Sequence, residues 1–157
     1  MLTEKLQNGY PTGTNVIRIE PHPWDVMLRH ALDCYPRECC GIMLGTLNDG
    51  DERTVTAAIA CRNSYEGDQS DRFELDPKDQ LAAQRLAREQ KLEVLGFFHS
   101  HPDCDSYFSA TDLANSWPWY SNVVISIVGG ALNQAKAFRA NDTQTESTEE
   151  ILTWPQS

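Results

Sequence analysis

The side chains able to do chemistry are concentrated in His99-Ser100-His101-Pro102, then Asp103-Cys104-Asp105-Ser106-Tyr107-Phe108, then Ser109-Ala110-Thr111-Asp112. His99 and His101 stand two residues apart at the end of an apolar run, and on a strand that spacing sends both side chains to one face. Two neutral imidazoles on one face make half of a tetrahedral zinc site. Asp112 follows His101 by eleven residues, across a loop and in the first turn of a predicted helix, so a turn back to the strand end would deliver a carboxylate as third ligand. Catalytic zinc sites typically keep three protein ligands and leave the fourth position to water, which this count matches. A purely structural reading stands beside it. Ser109-x-x-Asp112 has the spacing of a capping box, in which the serine caps a helix and the aspartate returns to the N-cap amide.

The elements that must position these residues follow from periodicity and punctuation. Val16 to Ile19 alternates and is β-branched, so it reads as a short strand. A helix opening near Pro23 shows Trp24, Met27, Leu28, Ala31, Leu32 and Tyr35 at amphipathic spacing and stops at Pro36. Cys39 to Leu47 and Thr54 to Cys61 form a hairpin around Asn48-Asp49-Gly50-Asp51. A polar loop covers residues 62–71, and Arg72 to Leu75 reads as a brief strand. Asp76 and Pro77 then open a helix to about Gln90, with a narrow stripe of Leu81, Ala82, Leu86 and Ala87. Glu93 to His101 is the strand that ends in the histidines. A third helix is predicted from Ser109 to about Trp117, stopped by Pro118. Val123 to Val128 and Gln134 to Arg139 pair across Gly129-Gly130. The order of elements gives an α/β domain with a mixed sheet flanked by about three helices. Its expected extent is residues 15–140, between a loose polar lead-in (1–14) and a Thr- and Glu-rich tail (141–157) that reads as mobile unless Ile151, Leu152 and Trp154 dock it.

The 157 residues, 40% of them hydrophobic, suffice for one core. No apolar run approaches the roughly 20 residues of a membrane span, and no signal-peptide pattern opens the chain, so the expectation is a cytoplasmic protein without a membrane partner. Acidic residues outnumber basic ones by 23 to 13, a formal charge of -10, with no Lys/Arg cluster, so no nucleic-acid partner is expected. Cys34, Cys39, Cys40, Cys61 and Cys104 are odd in number, contain no C-x-x-C pair and read as reduced thiols.

His-x-His-Pro, six residues, then Ser-x-x-Asp resembles the signature of the JAMM/MPN+ (Mov34/PAD-1) zinc metalloproteases. Glu38, at the head of Glu38-Cys39-Cys40-Gly41-Ile42-Met43-Leu44-Gly45, stands where that family has an upstream glutamate. The resemblance extends from about Val16 to Arg139. It implies a JAMM/MPN-like mixed sheet with cytidine-deaminase-like layering, and one zinc ion per chain held by His99, His101 and Asp112. It further implies Glu38 as general base and proton shuttle, and Ser109 as a stabiliser of the oxyanion. Asp105 is a competing carboxylate, and the family spacing favours Asp112. Phe108 replaces a proline common before the serine. Cys104 lies inside the motif loop and reads as a thiol without a partner base, and Cys39 and Cys40 read as packing residues on opposite faces. Trp117, Trp119 and Tyr120 read as core residues, with a substrate groove as the alternative.

The compactness resembles that of small stand-alone prokaryotic members. This implies a peptidase or isopeptidase acting on the C-terminal tail of a ubiquitin-like or sulfur-carrier protein, the tail adding as a strand beside a sheet edge. The alternative is a non-catalytic protein-binding scaffold of the same fold. Such scaffolds lack one or more ligands, whereas all five motif positions are present. A zinc deaminase would require His-x-Glu with Pro-Cys-x-x-Cys, which the chain lacks.

Overall fold

The structure, a computed structural model, describes residues 15–155, so the expected lead-in at 1–14 lies outside it. The strands are β1 (Val16–Ile19), β2 (Cys40–Leu47), β3 (Arg53–Cys61), β4 (Glu93–Pro102), β5 (Ser121–Val128), β6 (Ala131–Ala140) and β7 (Ser147–Thr153). The helices are α1 (Pro21–Cys34), α2 (Pro77–Gln90) and α3 (Ala110–Asn115). The sheet is mixed, as its element order implies, but it closes into a barrel in the order β1-β3-β2-β4-β5-β6-β7. Closure depends on the C-terminal segment. β7 pairs antiparallel with β6, and β1 runs parallel to both β7 and β3. The sequence hides this strand because its most buried side chain is Glu150, not an apolar residue. Trp154 then packs its ring 5.4 Å from that of Trp24.

Alternation along β2 and the residue before it sorts side chains between two cores. Cys39 and Met43 join Ile17, Met27, Leu95, Phe98 and Ile125 in the cluster that α1 covers. Cys40, Ile42 and Leu44 face the other way, under Ala83 and Ala87 of α2. The buried line of α2 therefore runs through Ala83 and Ala87, while Leu81 is half exposed. The predicted stripe had the right helix and was rotated by about one residue. Asp76 caps α2 as expected, accepting from the Lys78 amide at 2.9 Å. Arg72 to Leu75 is not a strand: a single bridge, Asn63 to Leu75, ties it to the preceding loop.

Two connections shape the region beyond β4. Gly129 and Gly130, with φ of 59° and 83°, make the tight turn between β5 and β6 in a conformation that glycine enters without strain. α3 is shorter than predicted and ends at Asn115. Ser116 is extended, and Pro118 disfavours a helical Trp117, so Trp117, Trp119 and Tyr120 leave the helix as a separate segment. Among the described residues, no helix is long and apolar enough to cross a membrane.

Candidate metal centre

β4 carries His99 and His101 on one face, and both rings are buried. Phe73 stacks on His99 with ring centroids 4.6 Å apart, and Tyr107 packs edge-on against His101 at 4.8 Å. The Nδ1 of His101 lies 3.1 Å from the backbone oxygen of Asp105. A carbonyl only accepts, so Nδ1 carries the proton and the neutral ring turns its Nε2 lone pair inward. His99 Nε2 lies 3.3 Å from that nitrogen, and Asp112 Oδ2 lies 3.1 Å from His99 Nε2 and 3.2 Å from His101 Nε2.

Asp112 reaches this position through its helix cap. The Ser109 hydroxyl accepts from the Asp112 amide at 2.9 Å, and the Ser109 amide donates to Asp112 Oδ2 at 3.1 Å, a complete capping box. The structural and the ligand readings of this pair are therefore both realised, in one oxygen atom. Asp105 contributes its backbone carbonyl to His101, whereas its carboxylate is turned to Asn133 at 3.4 Å and lies outside the cluster.

These residues fit a metal ion on two grounds. A bare Nε2 facing a carboxylate oxygen sets two electron-rich atoms against each other, which calls for positive charge between them. In addition, ligand atoms about 2.0–2.1 Å from a tetrahedral ion lie about 3.3 Å apart, close to the spacings seen here. His99, His101 and Asp112 form a group able to hold a metal ion. Burial alone would lower the pKa of His101, but the hydrogen bond and charge of Asp112 raise it. Asp112 is likewise desolvated, yet the two imidazoles and the Ser109 amide hold its carboxyl well below the usual carboxylate range.

Glu38 stands beside this group. The Cys39 amide donates to Ser100 Oγ at 2.8 Å, and the Ser100 amide to the Cys39 carbonyl at 3.2 Å, which fixes the residue before them next to the end of β4. The 62–75 loop clamps its backbone: the Glu38 amide donates to Gln69 O, and Asn63 Nδ2 donates to Glu38 O. Glu38 is 5% exposed, and its Oε1 is buried with no hydrogen-bond partner among the described residues. Burial pushes its pKa up to about 8, with His101 opposing and Asp112 adding to the rise. A carboxyl in that range takes up and releases a proton near neutral pH.

The structure brings together all five residues singled out by the motif. Sequence reasoning missed Asn63, Gln69 and Phe73, because a polar loop carries no periodic signal of what it clamps. Trp117, expected in the core, is 66% exposed and lines a cavity of about 370 Å³ that begins at His99 and Asp112. Cys104 is exposed, while Cys39 and Cys40 are buried in the two separate cores. Burial pushes the Cys39 thiol up to about 12 and raises that of Cys40 as well, so both stay protonated.

Residues 21–141 match the family model described as prokaryotic homologs of the JAB domain. The chain belongs to this prokaryotic JAB family. Among its relatives, a desampylase of Haloferax volcanii is 37% identical over 92 residues, which is 58% of this chain and 63% of that protein. A desampylase of Pyrococcus furiosus is 34% identical over 82 residues, covering 52% of this chain and 54% of that one. Each match thus spans less than two thirds of the relative. The JAB-like fold is shared almost end to end with a protein from Desulfitobacterium hafniense known from a solution structure. That protein has a TM-score of 0.77 and 28% identity, with 90% of this chain and 94% of the other covered.

Proposed function

We propose that this chain is a zinc-dependent hydrolase that cuts a peptide or isopeptide bond at the C-terminal tail of a ubiquitin-like or sulfur-carrier protein. The observation that carries this reading is the convergence of His99 Nε2, His101 Nε2 and Asp112 Oδ2 within 3.1–3.3 Å, next to a buried carboxyl with an unpartnered oxygen. The two relatives named desampylase support it, since that name denotes an enzyme that removes a modifier.

His99, His101 and Asp112 would hold the ion. When bound, zinc supplies Lewis acidity that polarises a carbonyl and acidifies water. Glu38 accepts the proton of the attacking water at its carboxylate and returns it to the leaving amine, and its exclusion from solvent keeps that proton within the site. Ser109 Oγ already accepts from the Asp112 amide, so its own O–H is left to donate to an oxyanion forming on the substrate. Asp105 fixes the His101 tautomer through its carbonyl, and Phe73 holds the plane of His99.

The test begins with metal content. The purified chain should carry about one zinc. His101→Ala and Asp112→Ala should carry far less, while Asp105→Ala, whose carbonyl survives the substitution, should carry as much as wild type. Glu38→Gln should retain zinc and lose most of its turnover on a ubiquitin-like protein extended through its C-terminal tail. A wild-type chain that takes up no zinc on reconstitution would leave the binding scaffold as the better reading.

A further inference from the structure

In the polar loop that follows β3, one side chain has every hydrogen-bonding position in use. Asn63 Nδ2 donates to Glu38 O and to Arg72 O, each at 3.1 Å. Its Oδ1 accepts from the Tyr65 amide at 3.0 Å and from the Glu74 amide at 3.1 Å. A carboxamide has two N–H donors and an oxygen with two lone pairs, so nothing is left over. The orientation is also unique. Carbonyls only accept and amides only donate, so the flipped group would lose all four bonds. Gln69 completes the arrangement: its backbone oxygen takes the Glu38 amide at 2.6 Å, and its Nε2 donates to Asn63 O at 3.1 Å and Tyr65 O at 2.8 Å.

The partners of Asn63 are not scattered. Arg72 and Glu74 flank Phe73, whose ring stacks on His99 with centroids 4.6 Å apart. One side chain therefore grips the backbone on both sides of Phe73 and the backbone of Glu38. We infer that Asn63 is a positioning residue: its carboxamide ties Glu38 to Phe73 and so fixes the base relative to the metal ligand His99. The inference rests on the hydrolytic reading for what Glu38 does. Glu38 needs such a tie, because its Oε1 is buried without a hydrogen-bond partner among the described residues. The place of that oxygen is set by the backbone beneath it. β4 holds only the next residue, through Cys39 and Ser100, whereas the loop holds both the N–H and the C=O of Glu38 itself. A general base must stand within hydrogen-bond reach of the proton it takes, and a misplacement of about 1 Å can cost on the order of a hundredfold in rate. Stiffening the loop alone would need no bond to Glu38. Ser64 already joins the two arms of the loop, with its amide and its hydroxyl both donating to Glu74 O.

The experiment reads structure and rate separately. NMR on the isotope-labelled, zinc-reconstituted chain follows the Glu38 amide and the carbon-bound ring protons of His99, which Phe73 covers. Asn63→Ala should move both sets of signals and speed hydrogen exchange at the Glu38 amide. The His101 ring signals, held by Asp105 and Tyr107, should stay. Zinc content should remain that of wild type, while kcat on a ubiquitin-like protein extended through its C-terminal tail should fall about tenfold with KM little changed. In the Glu38→Gln background the same substitution should change the residual rate by less than about twofold, because the group it positions is gone. Ser64→Ala, which loosens the same loop without touching Glu38, should leave the Glu38 amide signal and kcat as in wild type. Movement of the Glu38 or the His99 signals alone, movement of neither, or an equal loss of rate in the Glu38→Gln background would each overturn the inference. If Asn63→Ala does not fold, Asn63→Asp decides. As a carboxylate it keeps both acceptor bonds and cannot donate to Glu38 O or Arg72 O, so it should give the same shift at the Glu38 amide and the same fall in kcat. Signals that move as expected in a chain that cleaves nothing would sink the hydrolytic reading, and the role in turnover with it, and leave only the tie.

Discussion

Burial governs the charge of Glu38 more than its neighbours do, since His101 favours the carboxylate and Asp112 opposes it. The Glu38 carboxyl is buried with a pKa near 8, against an ordinary value near 4.5 in the unfolded chain. A folded pKa raised above the unfolded one means that its contribution is fully present below pH 4.5 and is lost as pH rises towards 8. Glu38→Gln removes that dependence. In the presence of a chelator, the variant should exceed wild type in stability by up to roughly 3 kcal/mol at pH 7, and the margin should close near pH 4.5. His101 and Asp112 titrate in both proteins, so their effects largely cancel in the difference. Urea unfolding at the two pH values measures it. An equal margin at both would show that Glu38 keeps its charge in the folded chain, with some other group compensating it.

At the scale of elements, β4 is the strand on which the site depends, and its position is set by a close approach. A Cβ added at Gly96 would fall 1.8 Å from the Ser121 backbone oxygen on β5, with further backbone atoms within 3 Å and no side chain able to yield. Gly96→Ala must push β4 and β5 apart, and the imidazoles three and five residues on would move with β4. The expected outcome is a loss of about 2–3 kcal/mol in unfolding together with weaker zinc retention in the folded protein. Retention at the wild-type level would show that the strand ends move independently. The sequence made much of this level legible. The α1 periodicity, the Asp76-Pro77 start of α2, the β2–β3 hairpin and the β4 histidines all have local causes. Asp112 was legible twice over, as cap and as ligand, because one carboxylate oxygen serves both purposes. What stayed hidden depends on distant partners. Phe73 matters through His99, and Asn63 and Gln69 matter through the Glu38 backbone. Glu150, the buried residue of β7, has the opposite polarity to that which strand patterns lead one to expect.

The whole molecule closes around that last residue. At the end of the barrel remote from the histidines, where Arg53 faces Leu47 rather than Cys40, the side chain of Arg53 has no exposed surface. Its guanidinium donates to Leu95 O and Ser121 Oγ and lies 4.1 Å from the Trp119 ring centroid. Arg139 donates to Glu150 and to Asp51 at 2.7 Å each, and the Glu150 side chain is wholly buried. Two guanidiniums thus share two carboxylates, one of which, on Asp51, is 42% exposed. Glu150→Gln would leave the cluster with an excess of buried positive charge and the barrel seam without its ion pair. Breaking a buried pair from one side costs about 3–5 kcal/mol, whereas replacing both partners with apolar residues of similar volume is often neutral or better. Glu150→Gln should therefore unfold at distinctly lower urea concentration, and Arg139→Met with Glu150→Leu should recover most of the loss. Both variants, while folded, should hold zinc as wild type does, because the length of β2 separates this cluster from His99. A double variant no more stable than Glu150→Gln would mean that Arg53 as well as Arg139 depends on that carboxylate. Zinc loss in a folded variant would mean instead that the two ends of the barrel are coupled, with β4, which carries both Leu95 and the histidines, as the connecting element.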